Sequence, residues 1–153
     1  MAQKSAGLLM YRKRAGMVEV FLIHPGGPFW ASKDEGAWAI PKGEFTDEES
    51  PLAAAKREFR EETSFTASGD FQPLEPIKQA GGKIVHAWAV EGDCDAAAIK
   101  SNTYKAEWPP HSGQWRSFPE VDRAAWFSLP QARAKILKSQ LPLLDQLEHL
   151  LQP

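Results

Sequence analysis

The run Arg57-Glu58-Phe59-Arg60-Glu61-Glu62 constrains this chain more than any other feature. It sits on a helix that the sequence opens well. Ser50 is a strong N-cap, and Pro51 occupies the first helical position, where its missing N–H costs nothing. Leu52, Ala55 and Phe59 recur at i, i+3 and i+7 as a buried stripe. Glu58 lies four residues from Glu62 and three from Glu61, so all three carboxylates share one face. At an effective dielectric near 20 and a separation of about 5–6 Å, each pair repels by roughly 3 kcal/mol. The C-terminal end of a helix dipole disfavours anions as well. A divalent cation removes this penalty, and an all-oxygen donor set suits Mg²⁺ or Mn²⁺ rather than zinc. Taken alone, the same residues also read as a solvated face laced with Lys56, Arg57 and Arg60.

The wider spacing decides between these readings. From Gly43 the chain runs five residues to Glu49 and seven more to Arg57, and Phe65 closes the stretch. This closely resembles the box of the Nudix (MutT-like) hydrolase family, Gly-x5-Glu-x7-Arg-Glu-U-x-Glu-Glu-x-Gly-U, with U apolar. Phe59 and Phe65 fill the U positions, and Ser64 stands where the family has its second glycine. A glycine there suits a left-handed turn that ends the helix. A serine in that conformation costs roughly 1–2 kcal/mol, which bears on the turn and not on the carboxylates.

The resemblance implies a catalytic loop–helix–loop that binds Mg²⁺, with Mn²⁺ as the alternative ion, and hydrolyses a nucleoside diphosphate linked to another group. Carried over by position, Glu58, Glu61 and Glu62 are the helix ligands and the Gly43 carbonyl is another. Arg57 and Glu49 orient Glu58 and brace the motif, roles that matter for metal affinity. In MutT-like members a glutamate six residues before the tryptophan of the last strand completes the site. Trp126 puts that position at Glu120, a further ligand and general base; Glu107 is its competitor.

Trp38-Ala39-Ile40-Pro41-Lys42-Gly43 resembles the Trp-x-x-Pro-Lys-Gly entry of Nudix hydrolases acting on dinucleoside polyphosphates and of mRNA-decapping relatives. Lys42 would balance extra phosphate charge, with Lys83 and His86 as weaker candidates from neighbouring strands. Phe29 and Trp30, on the Pro/Gly-rich loop after His24, are candidates to stack a purine. The downstream tyrosine that marks some dinucleoside polyphosphate hydrolases is missing, and so is the proline that marks some ADP-sugar hydrolases. These markers leave the base and the chain of phosphates open; the expected activity is pyrophosphate hydrolysis, on dinucleoside polyphosphates first and nucleoside triphosphates second. A nucleotide-binding regulator without hydrolysis and an RNA 5′-end pyrophosphohydrolase are the alternatives.

The remaining pattern predicts the frame. Ser5 to Tyr11 and Val18 to His24 read as strands joined through Gly16, and Trp38-Ala39-Ile40 as a short strand stopped by Pro41. Leu74 to Gln79 and Ile84 to Val90 suggest a hairpin across Gly81-Gly82, and Val121 to Phe127 a last strand. The stretch from Asp93 to Pro119 carries little periodicity. Pro130 onward is helical, with Leu144, Leu147 and Leu151 on one face. The expectation is one α+β domain over 1–153, a Nudix-type α/β/α sandwich with a mixed central sheet.

Composition narrows the partners. Eighteen lysines and arginines against 20 acids give a net charge of −2, which argues against an extended nucleic-acid surface. Seven acids and three bases fall between Glu44 and Glu62, leaving −4 there and +2 elsewhere. Cys94 is the single cysteine, so neither an intrachain disulfide nor a Cys-rich zinc site can form. The apolar run Ala6 to Tyr11 is too short for a signal-peptide core or a membrane span. A cytoplasmic monomer or homodimer acting on a small nucleotide is the expectation.

Overall fold

The structure is a computed structural model that describes residues 3–152. Its organising strand is β1 (Lys4–Arg14), which turns through Ala15 and Gly16 into β2 (Met17–Pro25). Both turn residues have positive φ, 51° and 79°, the left-handed pair whose twist matches that of the flanking strands. Along one edge β1 pairs in parallel with β6 (Ile84–Glu91), from Lys4↔Ile84 to Tyr11↔Glu91. Its other edge is shared. The C-terminal end pairs with β2, and the N-terminal end pairs with β3 (Lys42–Glu44) through Ser5↔Glu44, Ala6↔Gly43 and Gly7↔Lys42. The short strands β4 (Gln72–Pro73) and β5 (Ile77–Lys78) border β6, and β9 (Val121–Ser128) extends the sheet beyond β2.

The middle of the sheet is buried on both faces, so Ala6–Met10 of β1 and Val20–Ile23 of β2 carry no polar side chain and alternation only sorts them between two cores. Ala6, Leu8, Met10, Phe21 and Ile23 pack against Ala54, Ala55 and Phe59 of helix α1 (Pro51–Thr63). Leu9, Val20 and Leu22 face the opposite way, onto Ala132 of α2 (Leu129–Lys135) and Leu143, Leu144 and Leu147 of α3 (Leu141–Leu150). This is the expected α/β/α sandwich around a mixed sheet. The Ser50 hydroxyl accepts from the Ala53 N–H at 3.2 Å, capping α1 as its sequence predicts. No helix among the described residues is long and apolar enough to cross a membrane.

Two expectations need correction, and one physical cause links them. Trp38-Ala39-Ile40 is not a strand: Ala39 bridges only to Ile23 and Trp38 only to Ile136. The segment runs through the fork where β2 and β3 diverge from β1, and its backbone is divided among several partners. The Ile40 N–H donates to the buried Gln140 side chain at 3.0 Å, and the Leu8 N–H donates to the Pro41 carbonyl at 3.2 Å. Regular pairing resumes only after Pro41, at Lys42. The C-terminal helix is likewise two helices. The chain turns extended at Ile136, and the Leu137 N–H donates to the Trp38 carbonyl at 2.7 Å.

The expected hairpin before β6 forms only in part. β5 pairs Ile77 with Val85, and Ala80–Gly82 makes a single 3₁₀ turn, while β4 pairs separately. Within 93–119 lies a detached two-stranded sheet, β7 (Thr103–Glu107) and β8 (Trp115–Pro119), paired from Thr103↔Pro119 to Glu107↔Trp115.

Candidate active site

The site forms where the fork opens beside α1. β3 delivers Lys42 and Gly43 to the helix, and Gly43 meets Glu58 at very short range. A Cβ built on Gly43 would lie 2.1 Å from the Glu58 carboxyl carbon and 2.2–2.4 Å from its oxygens. The absence of a side chain at 43 is thus what lets the Glu58 carboxylate rest against the strand.

Arg57 is the hub of the acidic face. Its Nη2 and Nε donate to the two oxygens of Glu49 at 2.6 and 3.2 Å, a bidentate pair across the loop. Its Nη1 donates to Glu58 at 2.8 Å and to Glu61 at 3.1 Å. With four such bonds, Glu49 first among them, the Arg57 pKa rises further still. Among the described residues, no three acidic, histidine or cysteine side chains already stand in ligating positions about one point. The guanidinium lies between Glu58 and Glu61 in this arrangement.

Burial sets the electrostatics. Glu62 is 7% exposed, and desolvation, with Glu58 and Glu120 as neighbours, pushes its pKa up to about 9. The Lys42 ammonium and backbone N–H offset only part of that. Glu58 is also raised, chiefly by burial, with Glu61 and Glu120 adding to the effect and Arg57 opposing it. Glu120 lies on the open side of the cluster, and its residue surface is largely exposed. Partial desolvation and Glu61 raise its pKa. Lys42 is lowered by burial, with Glu62 acting against the shift.

A pH dependence follows. Without a cation, folded Glu62 keeps its proton between pH 4.5 and about 9, where the unfolded chain has released it. The folded state therefore binds more protons across that window, and stability falls as pH rises through it. Melting in chelator should show a declining Tm from pH 4.5 to about 9, and adding Mg²⁺ should raise Tm most at the alkaline end. A chelated protein whose Tm climbs across the window would contradict this.

The other expected residues separate into two groups. Lys42 and Lys83 line one cleft of about 370 Å³ with Gln79 and Ser139, and Lys83 also reaches Glu44 at 3.6 Å. His86 is not in that cleft. Its ring meets Phe45 edge-on at 6.0 Å and borders a separate cavity with Lys4 and Glu49. Phe29 is 59% exposed and packs edge-on against Trp108, while Trp30 lies under the Lys33 ammonium at 5.1 Å. Glu107 is occupied elsewhere: its carboxylate accepts from the His111 and Gly113 N–H groups at 2.9 and 3.1 Å, holding the β7–β8 turn.

One contributor escaped the sequence reading. Tyr104 donates its hydroxyl to the Gly26 carbonyl at 3.1 Å, and the Gly26 N–H donates to the Glu120 carbonyl at 2.9 Å. A Cβ on Gly27 would fall 1.9 Å from the Tyr104 hydroxyl, and one on Gly26 would fall 2.0 Å from the Pro119 carbonyl oxygen. The paired glycines after Pro25 were the available signal of a close backbone approach.

A three-layered fold with an acid-bearing loop–helix–loop at the fork of its sheet defines a NUDIX domain. The chain belongs to that family, whose model matches residues 1–147. Among curated proteins it is similar to a bis(5'-nucleosyl)-tetraphosphatase [asymmetrical] of Caenorhabditis elegans, 39% identical over 66 residues. That stretch covers 43% of this chain and 44% of the relative, so the match spans under half of the relative's length. Among solved structures, an Ap4A hydrolase binary complex from C. elegans superposes with a TM-score of 0.68 at 24% identity, covering 98% of both chains. The NUDIX domain of Shewanella oneidensis NrtR, complexed with ADP ribose, gives 0.70 at 17% identity, covering 99% of this chain and 90% of that one. At these identities the two structures establish the fold.

Proposed function

We propose that this chain hydrolyses a pyrophosphate bond in a nucleoside diphosphate linked to another group, with Mg²⁺ as cofactor and Mn²⁺ as the alternative ion. Dinucleoside polyphosphates are the preferred substrates and nucleoside triphosphates come second. The observation that carries this reading is the gathering of Glu58, Glu61, Glu62 and Glu120 around two cationic groups, Arg57 and Lys42. Such a cluster is under-neutralised, partly dehydrated and built from oxygen donors, which fits a hard divalent ion. The tetraphosphatase named among the relatives supports the substrate class.

Glu58, Glu61, Glu62, Glu120 and the Gly43 carbonyl would hold the metal. The bound cation supplies charge neutralisation on the polyphosphate and a lowered pKa for water. Arg57, anchored on Glu49, keeps Glu58 aimed across the glycine gap at position 43. Glu120, on the solvent side, takes a proton from the attacking water as general base. Lys42 and Lys83 face the anionic chain of phosphates from their shared cleft. Phe29 offers the exposed ring for stacking a base, with Trp108 behind it.

Incubation with Mg²⁺ and a nucleotide panel in ¹⁸O-labelled water tests this by reporting substrate and attacked phosphorus together. Dinucleoside polyphosphates are expected to turn over fastest. Retained nucleotide binding with no hydrolysis of any member would assign a binding module instead. The base is tested separately. Glu120→Gln should lower kcat about a hundredfold, whereas Glu107→Gln should leave it within about threefold. A large kcat loss in the Glu107 variant alone would move the general base to that residue.

A further inference from the structure

Ser64 is the residue at which the acidic helix departs from the family box, and its backbone is left-handed, with φ 70° and ψ 6°. A non-glycine residue in that conformation is strained, and such strain persists where the surroundings enforce it. The surroundings here are a short strap of chain, residues 100–102. The Ser64 hydroxyl donates to the Lys100 carbonyl at 2.5 Å. The strap answers with its own N–H groups: Lys100 donates to the Thr63 carbonyl at 3.1 Å, and Asn102 donates to the Glu61 carbonyl at 3.0 Å. The strap thereby satisfies two of the carbonyls that a helix end leaves without partners.

The far side of the strap leads to Glu120. The Asn102 carbonyl accepts from the Glu120 N–H at 2.8 Å. The Ser101 hydroxyl accepts from the Val121 N–H and donates to the Val121 carbonyl, both at 3.1 Å. With the Gly26 N–H on its carbonyl, Glu120 has both backbone groups bonded, one to the glycine loop and one to the strap. The strap is therefore the hydrogen-bonded link between the helix that carries three of the acids and the loop that carries the fourth.

We propose that Ser64 is a positioning residue: its hydroxyl clamps the 100–102 strap and so fixes Glu120 relative to Glu58, Glu61 and Glu62. The proposal rests on the role given to Glu120 above. It makes serine at position 64 a working part of this site, where glycine would supply the turn without the clamp.

Ser64→Gly separates clamp from turn, because glycine relaxes the left-handed backbone while deleting the hydroxyl. Three readings are taken on the full chain: Tm, amide hydrogen exchange, and steady-state kinetics with Mg²⁺ and the best panel substrate. Tm should stay at or above that of the unaltered protein. Exchange of the Asn102 and Glu120 amides should accelerate about two- to tenfold, the range one net hydrogen bond allows. By the same measure kcat should fall about two- to tenfold, with KM little changed. Ser64→Asn, which tolerates the left-handed backbone and keeps a side-chain donor, should recover part of the loss. In a Glu120→Gln background the Ser64→Gly effect on kcat should vanish.

Unchanged amide exchange would overturn the clamp. So would a kcat loss that persists undiminished in the Glu120→Gln background, since the effect would not then pass through Glu120. Faster exchange with kcat unchanged in both Ser64→Gly and Glu120→Gln would support the clamp and overturn the catalytic reading of Glu120, so the two failures are distinguishable.

Discussion

Glu58→Gln will lower kcat by about a thousandfold, roughly 4 kcal/mol of transition-state stabilisation, while the protein stays folded. The side chain is the meeting point of the site. It accepts from Arg57 at 2.8 Å, lies against Gly43, and feels Glu61 and Glu120. An amide of the same shape keeps the packing but gives up the charge, and its NH₂ group presents donors where oxygen ligands are needed. Because Glu58 is partly buried among other acids, losing that charge relieves repulsion, and Tm without metal should rise or hold. Mg²⁺ should then stabilise the variant less than it does the unaltered protein. A variant with near-normal kcat would remove Glu58 from the chemistry.

Gly43→Ala is the sharper structural test, because it leaves every acid in place. No positive φ binds this position to glycine, so alanine fits the backbone of β3. The new methyl instead occupies the ground held by the Glu58 carboxylate, 2.1 Å from its carbon. That carboxylate is the end of a flexible side chain and will swing away, at small cost to folding. The expected result is a kcat loss of about a hundredfold with Tm changed by only a few degrees, since a catalytic group displaced by about 1 Å loses that much. Unfolding of the variant would mean that Gly43 serves the strand and not Glu58. An undiminished kcat would mean that Glu58 works equally well from another rotamer.

What could be read from the chain in advance follows the range of the interactions. The helix from Pro51 to Thr63 is set by its own cap, stripe and spacing, so its ends and its acidic face were visible in the residues. The turn at Ser64 was not: the residues left its geometry open, because the left-handed form suits glycine and costs serine, and the structure shows that it is kept. Glu120 was named through the family resemblance, by its interval to Trp126, and the structure sets it in charge range of all three helix acids. Long-range partnerships were not legible. Trp38–Ile40 looks like a strand because it is apolar, yet its carbonyls and N–H groups are claimed by Ile23, Gln140 and Leu137. The same partnership breaks the C-terminal helix at Ile136 and Leu137, which local propensity would have left helical. Glu107 competed with Glu120 on composition alone, and only folding reveals that the β7–β8 turn consumes its carboxylate.

The β7–β8 hairpin is a sheet of its own, fastened at its base by Tyr104 to Gly26 and stiffened at its tip by Glu107. Its fastening to the body through Tyr104 lies outside residues 108–114 and does not depend on their length. Residues 108–114 can be lengthened, shortened or exchanged while Glu120, held from below, stays in place. That loop begins at Trp108, which meets Phe29 edge-on, and ends beside the exposed Trp115. Under the function proposed above, exchanging that one loop would change which rings meet a substrate while leaving the acidic cluster as it is.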